Sequence, residues 1–193
     1  MSIQTESFAF SRRRILAGTV SSVLSAGAIA LLGGVPRANG QDSADGADVR
    51  ILNVAVGLEY EGIAAYAIAL KSGLLDQEIT VVATKFQDDH RRHNDALIAA
   101  IRSLGGEPVS ARPESEYAKA LHVDELRNQA DVLTLARRLE LGATNAYLGV
   151  IPSFSDSKLA TVAARLAADE ASHFALLNFT LGGAFLPALG FGA

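Results

Sequence analysis

Between residues 49 and 180 the apolar positions recur every three or four residues, the period that gathers them on one face of an α-helix. Four helices are expected, at residues 49–73, 78–104, 123–151 and 155–180. The second stops at "LGGEP", residues 104–108, where glycines and then a proline end a helix. "SFSDSK", residues 153–158, supplies serine and aspartate caps for the fourth. Short links join the first helix to the second and the third to the fourth, so each pair should form an antiparallel hairpin. Gly105 to His122, with Pro108 and Pro113, is long enough to run the length of a bundle. The expected fold is all-α: a four-helix bundle of two similar helical hairpins joined by one long crossover.

The hairpins look like copies of each other. "LEYEGIAAY" (58–66) and "LELGATNAY" (139–147) share Leu, Glu, Ala and Tyr at an offset of 81. Asp89/Asp169, His93/His173 and Leu97/Leu177 coincide at an offset of 80. Near-equal offsets imply a pseudo-twofold bundle.

Outside these helices the pattern changes. Residues 41–48, "QDSADGAD", are small and polar and read as a flexible leader. Residues 181–193, "LGGAFLPALGFGA", form an apolar, glycine-rich tail expected to pack over a bundle end. In residues 1–40, "SRRRILAG" sets Arg12-Arg13 before the apolar run Ile15–Leu32, which resembles a twin-arginine export signal. Ala38-Asn39-Gly40 offers small residues for cleavage before Gln41. The resemblance implies a periplasmic protein exported by the twin-arginine route. An uncleaved signal would be its one link to a membrane.

Composition narrows the chemistry. The chain has 193 residues and no cysteine, which excludes disulfides, thiolate metal sites and cysteine nucleophiles. Any metal must be held by His, Asp and Glu. The net charge of −4 gives no sign of a nucleic-acid partner. Residues 1–40 hold four of the 17 basic residues and one of the 21 acidic ones, so the remainder is more acidic still.

Each helical stripe is apolar at both ends and carries ionisable groups in its middle: Glu59 on the first, His90 and His93 on the second, Glu140 on the third, Glu170 and His173 on the fourth. A spacing of three residues points both members of a pair the same way. Three carboxylates and three imidazoles at one level of a core need compensating charge, and a pair of divalent metals supplies it. The plainer alternatives are a rotated stripe that turns Glu59 to water beside Glu61, and a polar surface patch made of His90 and His93 with Arg91, Arg92 and Asp95.

The joint pattern resembles the ferritin-like superfamily over residues 50–180, most nearly its exported bacterial members of the desiccation-related group. That family sets Glu on its first helix, Glu-x-x-His on its second, Glu on its third and Glu-x-x-His on its fourth. The resemblance implies a di-iron centre, or manganese as the alternative metal, that reacts with oxygen or peroxide. It assigns Glu59, His93, Glu140, Glu170 and His173 as metal ligands, with His90 standing where the family has glutamate. Three glutamates leave a pair of divalent metals with net positive charge, and a neutral imidazole cannot bridge two metals as a carboxylate does.

Asp89 and Asp169 are expected to accept the Nδ1 proton of the histidine on the opposite helix pair, with Arg92 helping to neutralise Asp89. Tyr66 and Tyr147, two turns from their glutamates, are either packed core residues or redox and gating groups, the catalytic candidates. Two functions fit: a ferroxidase, peroxidase-type or manganese-catalase-like oxidoreductase in iron detoxification or oxidative-stress defence, or a non-catalytic stress-protective or binding bundle with a degenerate or single-metal site. An oligomer is compatible with either.

Overall fold

The computed structural model describes residues 44–184. The expected export signal, residues 41–43 of the leader and residues 185–193 of the tail lie outside the described residues. Among the described residues there are five α-helices and no strand: α1 (Ala44–Lys71), α2 (Gln77–Ser103), α3 (Glu114–Ala120), α4 (Gln129–Val150) and α5 (Ser157–Thr180). The four long helices form the expected bundle. α1 packs along α2 and α4 along α5, and α1 meets α4 across the two hairpins.

Local chemistry sets the ends of these helices. Asp76 caps α2 by accepting from the Ile79 N–H (2.8 Å), Asn128 caps α4 through the Asp131 N–H (3.1 Å), and Asp156 caps α5 through the Lys158 N–H (2.8 Å). Just past the end of α2 stands Gly105, whose φ of +73° is the left-handed conformation that closes many helices. The Gln129 side chain donates to Asp76 Oδ2 (2.9 Å) and accepts from the Asp76 N–H (2.7 Å), tying the first hairpin turn to the start of α4.

Two boundaries differ from expectation. α1 begins at Ala44, so residues 44–48 of the expected leader are helical. Asp48 is buried, and its carboxylate accepts from the Ser155 and Asp156 N–H groups (2.9 and 3.2 Å), pinning α1 to the α4–α5 turn. The expected third helix starts late, at Gln129, because Val123–Glu125 form a 3₁₀ turn. The crossover also contains α3, whose Tyr117 packs with Leu121 and Ala64 and carries Arg112 over its ring at 4.5 Å. Asn53 on α1 binds the crossover at both Glu107 O (3.0 Å) and the Val109 N–H (2.7 Å).

The core falls into two main clusters. One contains Leu52, Val56, Leu97, Ile101, Leu159 and Ala163; the other contains Tyr66, Ala83, Phe86, Leu133 and Leu177. The polar residues of the four stripes lie between them along each helix. α1 is by length and composition apolar enough to cross a bilayer, but here it is a bundle helix with Glu59 and Glu61 buried in its middle.

Candidate metal centre

The α1 and α4 stripes each deliver one carboxylate to the middle of the bundle, and α2 and α5 each deliver two groups from adjacent turns. Glu59, Glu140 and Glu170 are at most 1% exposed, and His90, His93 and His173 at most 6%. Neither the rotated stripe nor the surface patch describes these residues, whereas Arg91, Arg92 and Asp95 are exposed. The fourth histidine, His122, is exposed on the crossover and 3.6 Å from Glu125, outside the cluster.

Imidazole and carboxylate alternate within the cluster. His90 Nδ1 is 2.8 Å from Glu59 Oε2, and its Nε2 is 3.4 Å from Glu140 Oε1. His93 Nδ1 is 3.0 Å from Glu170 Oε1, and His173 Nδ1 is 3.3 Å from Glu170 Oε2. The tyrosines complete a crossed pair: Tyr66 on α1 donates to Glu140 on α4, and Tyr147 on α4 donates to Glu59 on α1. Phe86 stacks on the His173 ring, with centroids 3.8 Å apart.

Asp89 and Asp169 flank the cluster on the opposite helix pair from their histidines, but on the other ring nitrogen from the one expected. His93 Nε2 lies 3.3 Å from Asp169 Oδ2, and His173 Nε2 lies 3.4 Å from Asp89 Oδ2. Each Nε2–H is thereby directed at an aspartate, and each Nδ1 faces the glutamates, where its lone pair can serve a metal. The two sides are not equivalent. Asp89 is held by Lys85 and Arg92, and although burial opposes its charge, these cations keep its carboxyl at about 2. Asp169 is 63% exposed.

Charge in the cluster is balanced by protons. Burial disfavours charged imidazole, yet Glu140 and Glu59 hold His90 well above its ordinary value, and Glu140 and Glu170 bring His173 up to about 9. Burial likewise works against ionised Glu140, but His90 and His173 outweigh it and hold the carboxyl well below the usual range. Burial raises Glu170, with Glu140 adding to the rise, while His173, His93 and His90 oppose it. Both tyrosines are pushed well above 10 by burial and by the glutamates they bind.

This donor set fits a metal. Glu140 Oε2 is buried without a hydrogen-bond partner, a cost that a cation removes. Two groups of four ligand atoms each fall within 4.8 Å of one another: Glu59, His90, His93 and Glu170, and His90, Glu140, Glu170 and His173. They share His90 and Glu170, the equivalent positions of α2 and α5. His90 therefore sits in a seat common to both groups, with one ring nitrogen toward each lone glutamate.

Sequence reasoning missed Gly62. A Cβ at this position would lie 3.0 Å from the His90 ring, whereas the equivalent residue on α4 is Ala143. Its signal was in the sequence: the glycine in "LEYEG" aligns with an alanine in the copy. Gln87 was also missed; its buried side chain donates to Ile63 O (3.0 Å) beside the cluster.

A four-helix bundle with a long crossover and a central carboxylate–histidine cluster is the frame of the ferritin-like proteins. A model of the ferritin-like domain family matches residues 47–183, and the chain belongs to that family. No curated protein matches it. Among solved structures it is similar to a conserved hypothetical protein, Rv2844, from Mycobacterium tuberculosis, with 21% identity and a TM-score of 0.60. That match covers 74% of this chain and 100% of the other. At that identity the likeness shows the fold alone.

Proposed function

We propose that this chain is an exported, periplasmic metal protein whose central cluster holds iron, or manganese as the alternative, and reacts with oxygen or peroxide. Iron oxidation and detoxification, or defence against oxidative stress, is the role this chemistry serves. The observation that carries the reading is the pair of overlapping four-ligand groups, built only from Glu and His and buried between two apolar clusters. Export rests on the arginine pair and the small residues at 38–40.

A redox metal held there would supply the electrons that reduce oxygen or peroxide. The chain's own residues set the conditions. Asp89 and Asp169 orient His173 and His93 so that Nδ1 faces the centre. Tyr66 and Tyr147 hold their protons against Glu140 and Glu59, which keeps one oxygen of each glutamate occupied and aims the other inward. The apolar clusters exclude bulk water, so charge is neutralised only by ligands and protons.

One observation favours a second reading. His90 fills the shared seat where a bridging carboxylate is expected, which suits a single metal or a non-catalytic binding bundle with a protective role. Anaerobic loading with Fe(II) or Mn(II), metal analysis and then oxygen or peroxide consumption separates the readings. Two metals per chain with consumption supports the oxidoreductase, and one metal without consumption supports the second reading. No metal retained, or retention unchanged by Glu170→Ala, removes the site assignment.

A further inference from the structure

The two ends of the bundle are related by the internal copy but are not packed alike. At one end Val56 and Ile101 are wholly buried. Their counterparts at the other end are Arg137 and Leu181. Arg137 donates to Asn178 Oδ1 (3.1 Å), and Leu181 caps the end of α5 and is only partly buried. The core seats that Val56 and Ile101 fill are thus left open there. Gly142, the counterpart of Glu61, adds room, since a Cβ built on it would meet nothing within 4 Å.

The result is a cavity of about 330 Å³ whose inner end touches Tyr66, His90 and Glu140 of the centre, and most of whose remaining wall is aliphatic. Glu61 and Arg138 also line it, and Arg112 and Arg138 act on the charge of Glu61, so this carboxyl requires nothing of an occupant. A second hollow of about 260 Å³ lies outside, beside the exposed Lys71, Ser72 and Glu114. The two spaces share four wall residues: Ile68 and Ala69 on α1, and Val123 and Leu126 at the 3₁₀ turn of the crossover. Surface, outer hollow, cavity and centre therefore follow one another, and every shared wall residue is apolar.

We propose that these spaces form an apolar entry route for dioxygen to the centre, with Val123 and Leu126 as its gate. The inference rests on the function proposed above, in which the centre reacts with oxygen or peroxide, and it names oxygen as the oxidant. An apolar cavity stays dry and takes up small apolar molecules. Dioxygen carries no charge and gives up no strong hydrogen bond on leaving water, whereas peroxide gives up those of two hydroxyls.

The first test uses the metal-free full-length chain: methyl proton relaxation is measured by NMR under oxygen pressure, dioxygen being paramagnetic. Leu133 and Leu177 at the hollow end and their counterparts Leu52 and Leu97 at the packed end are all at most 5% exposed, so burial does not separate them. The oxygen-induced rise at Leu133 and Leu177 is expected to exceed that at Leu52 and Leu97 by about threefold or more. Gly142→Leu should remove the excess by filling the cavity, and Ala136→Phe takes its place if that variant does not fold. Equal relaxation at the two ends, or an excess that survives filling, would overturn the proposal. So would an excess seen only in a chain ending at Ala184, which would give the cavity to the protein's own C-terminal segment. The gate is tested by xenon exchange, read by xenon NMR on the same metal-free chain. Leu126→Ala should speed exchange and Val123→Phe should slow it, each by about tenfold, the scale of one or two buried methylenes. Exchange unchanged in both variants would remove the gate. In the Fe(II)-loaded chain Gly142→Leu should slow oxidation by dioxygen about tenfold more than oxidation by peroxide, and the reverse order would overturn the choice of oxidant. A loaded chain that consumes neither oxidant would sink the function proposed above, while the metal-free relaxation still decides the route.

Discussion

His90 lies between Glu59 and Glu140 with one ring nitrogen toward each, and this one side chain limits how much positive charge the cluster can hold. Replacing it with glutamate adds a carboxylate to the shared seat. His90→Glu is therefore expected to raise the Fe(II) stoichiometry measured by metal analysis; an unchanged ratio would mean that the seat is not a ligand position. Gly62 makes room for the ring, so Gly62→Ala should cost about 1–3 kcal/mol in urea denaturation through overpacking. The cost should largely vanish in the His90→Glu background, where the slimmer side chain leaves space.

Protonation belongs to the same scale. His173 is raised from 6.5 to about 9 in the metal-free fold, so its stabilising contribution is complete below about pH 6.5 and lost as the pH rises through 9. Metal-free protein should lose stability over that range in denaturation curves, while metal affinity rises as the same protons leave.

At the scale of elements, the helices were legible because each has an apolar stripe of helical period and a recognisable cap. The start of α1 was not legible, since "SADGAD" has no apolar period and Asp48 gains its place only by receiving two N–H groups from the α4–α5 turn. Asp48→Ala should remove two hydrogen bonds to a buried carboxylate and cost about 1–3 kcal/mol, read from chemical denaturation. A change within experimental error would mean that the helix start is not anchored there. α3 was hidden for a similar reason: "ESEYAKA" is too short to show a period, and Tyr117 marks it as buried only once it packs on α1.

For the whole molecule, the four stripes place three carboxylates and three imidazoles between two apolar clusters, and protons balance the charge when no metal does. Adding Mn(II) or Fe(II) under anaerobic conditions should raise the melting temperature, and a chelator should reverse the shift. At a hundredfold excess over Kd the stabilisation is about 2.7 kcal/mol. Glu170→Ala should abolish the shift, because Glu170 belongs to both four-ligand groups. A shift that survives Glu170→Ala would place the bound metal elsewhere.

The bundle, its duplicated hairpins and the six residues at its centre were all readable from the chain before any fold was known. Those follow from periodicity and spacing, which one chain displays directly. Packing of the helices was needed to show which ring nitrogen faces which carboxylate, that Tyr66 and Tyr147 cross over to each other's glutamates, and that Asp89 is clamped while Asp169 is open. Helical period specifies the face on which a residue lies but not its rotamer or its neighbour on another helix. Those are fixed by distances between helices, from His90 and Glu59, 31 positions apart in the chain, to Tyr147 reaching Glu59 across 88 positions. The room left opposite Glu61 by Gly142 is of the same kind: a missing side chain becomes a cavity only when two helices are set against each other.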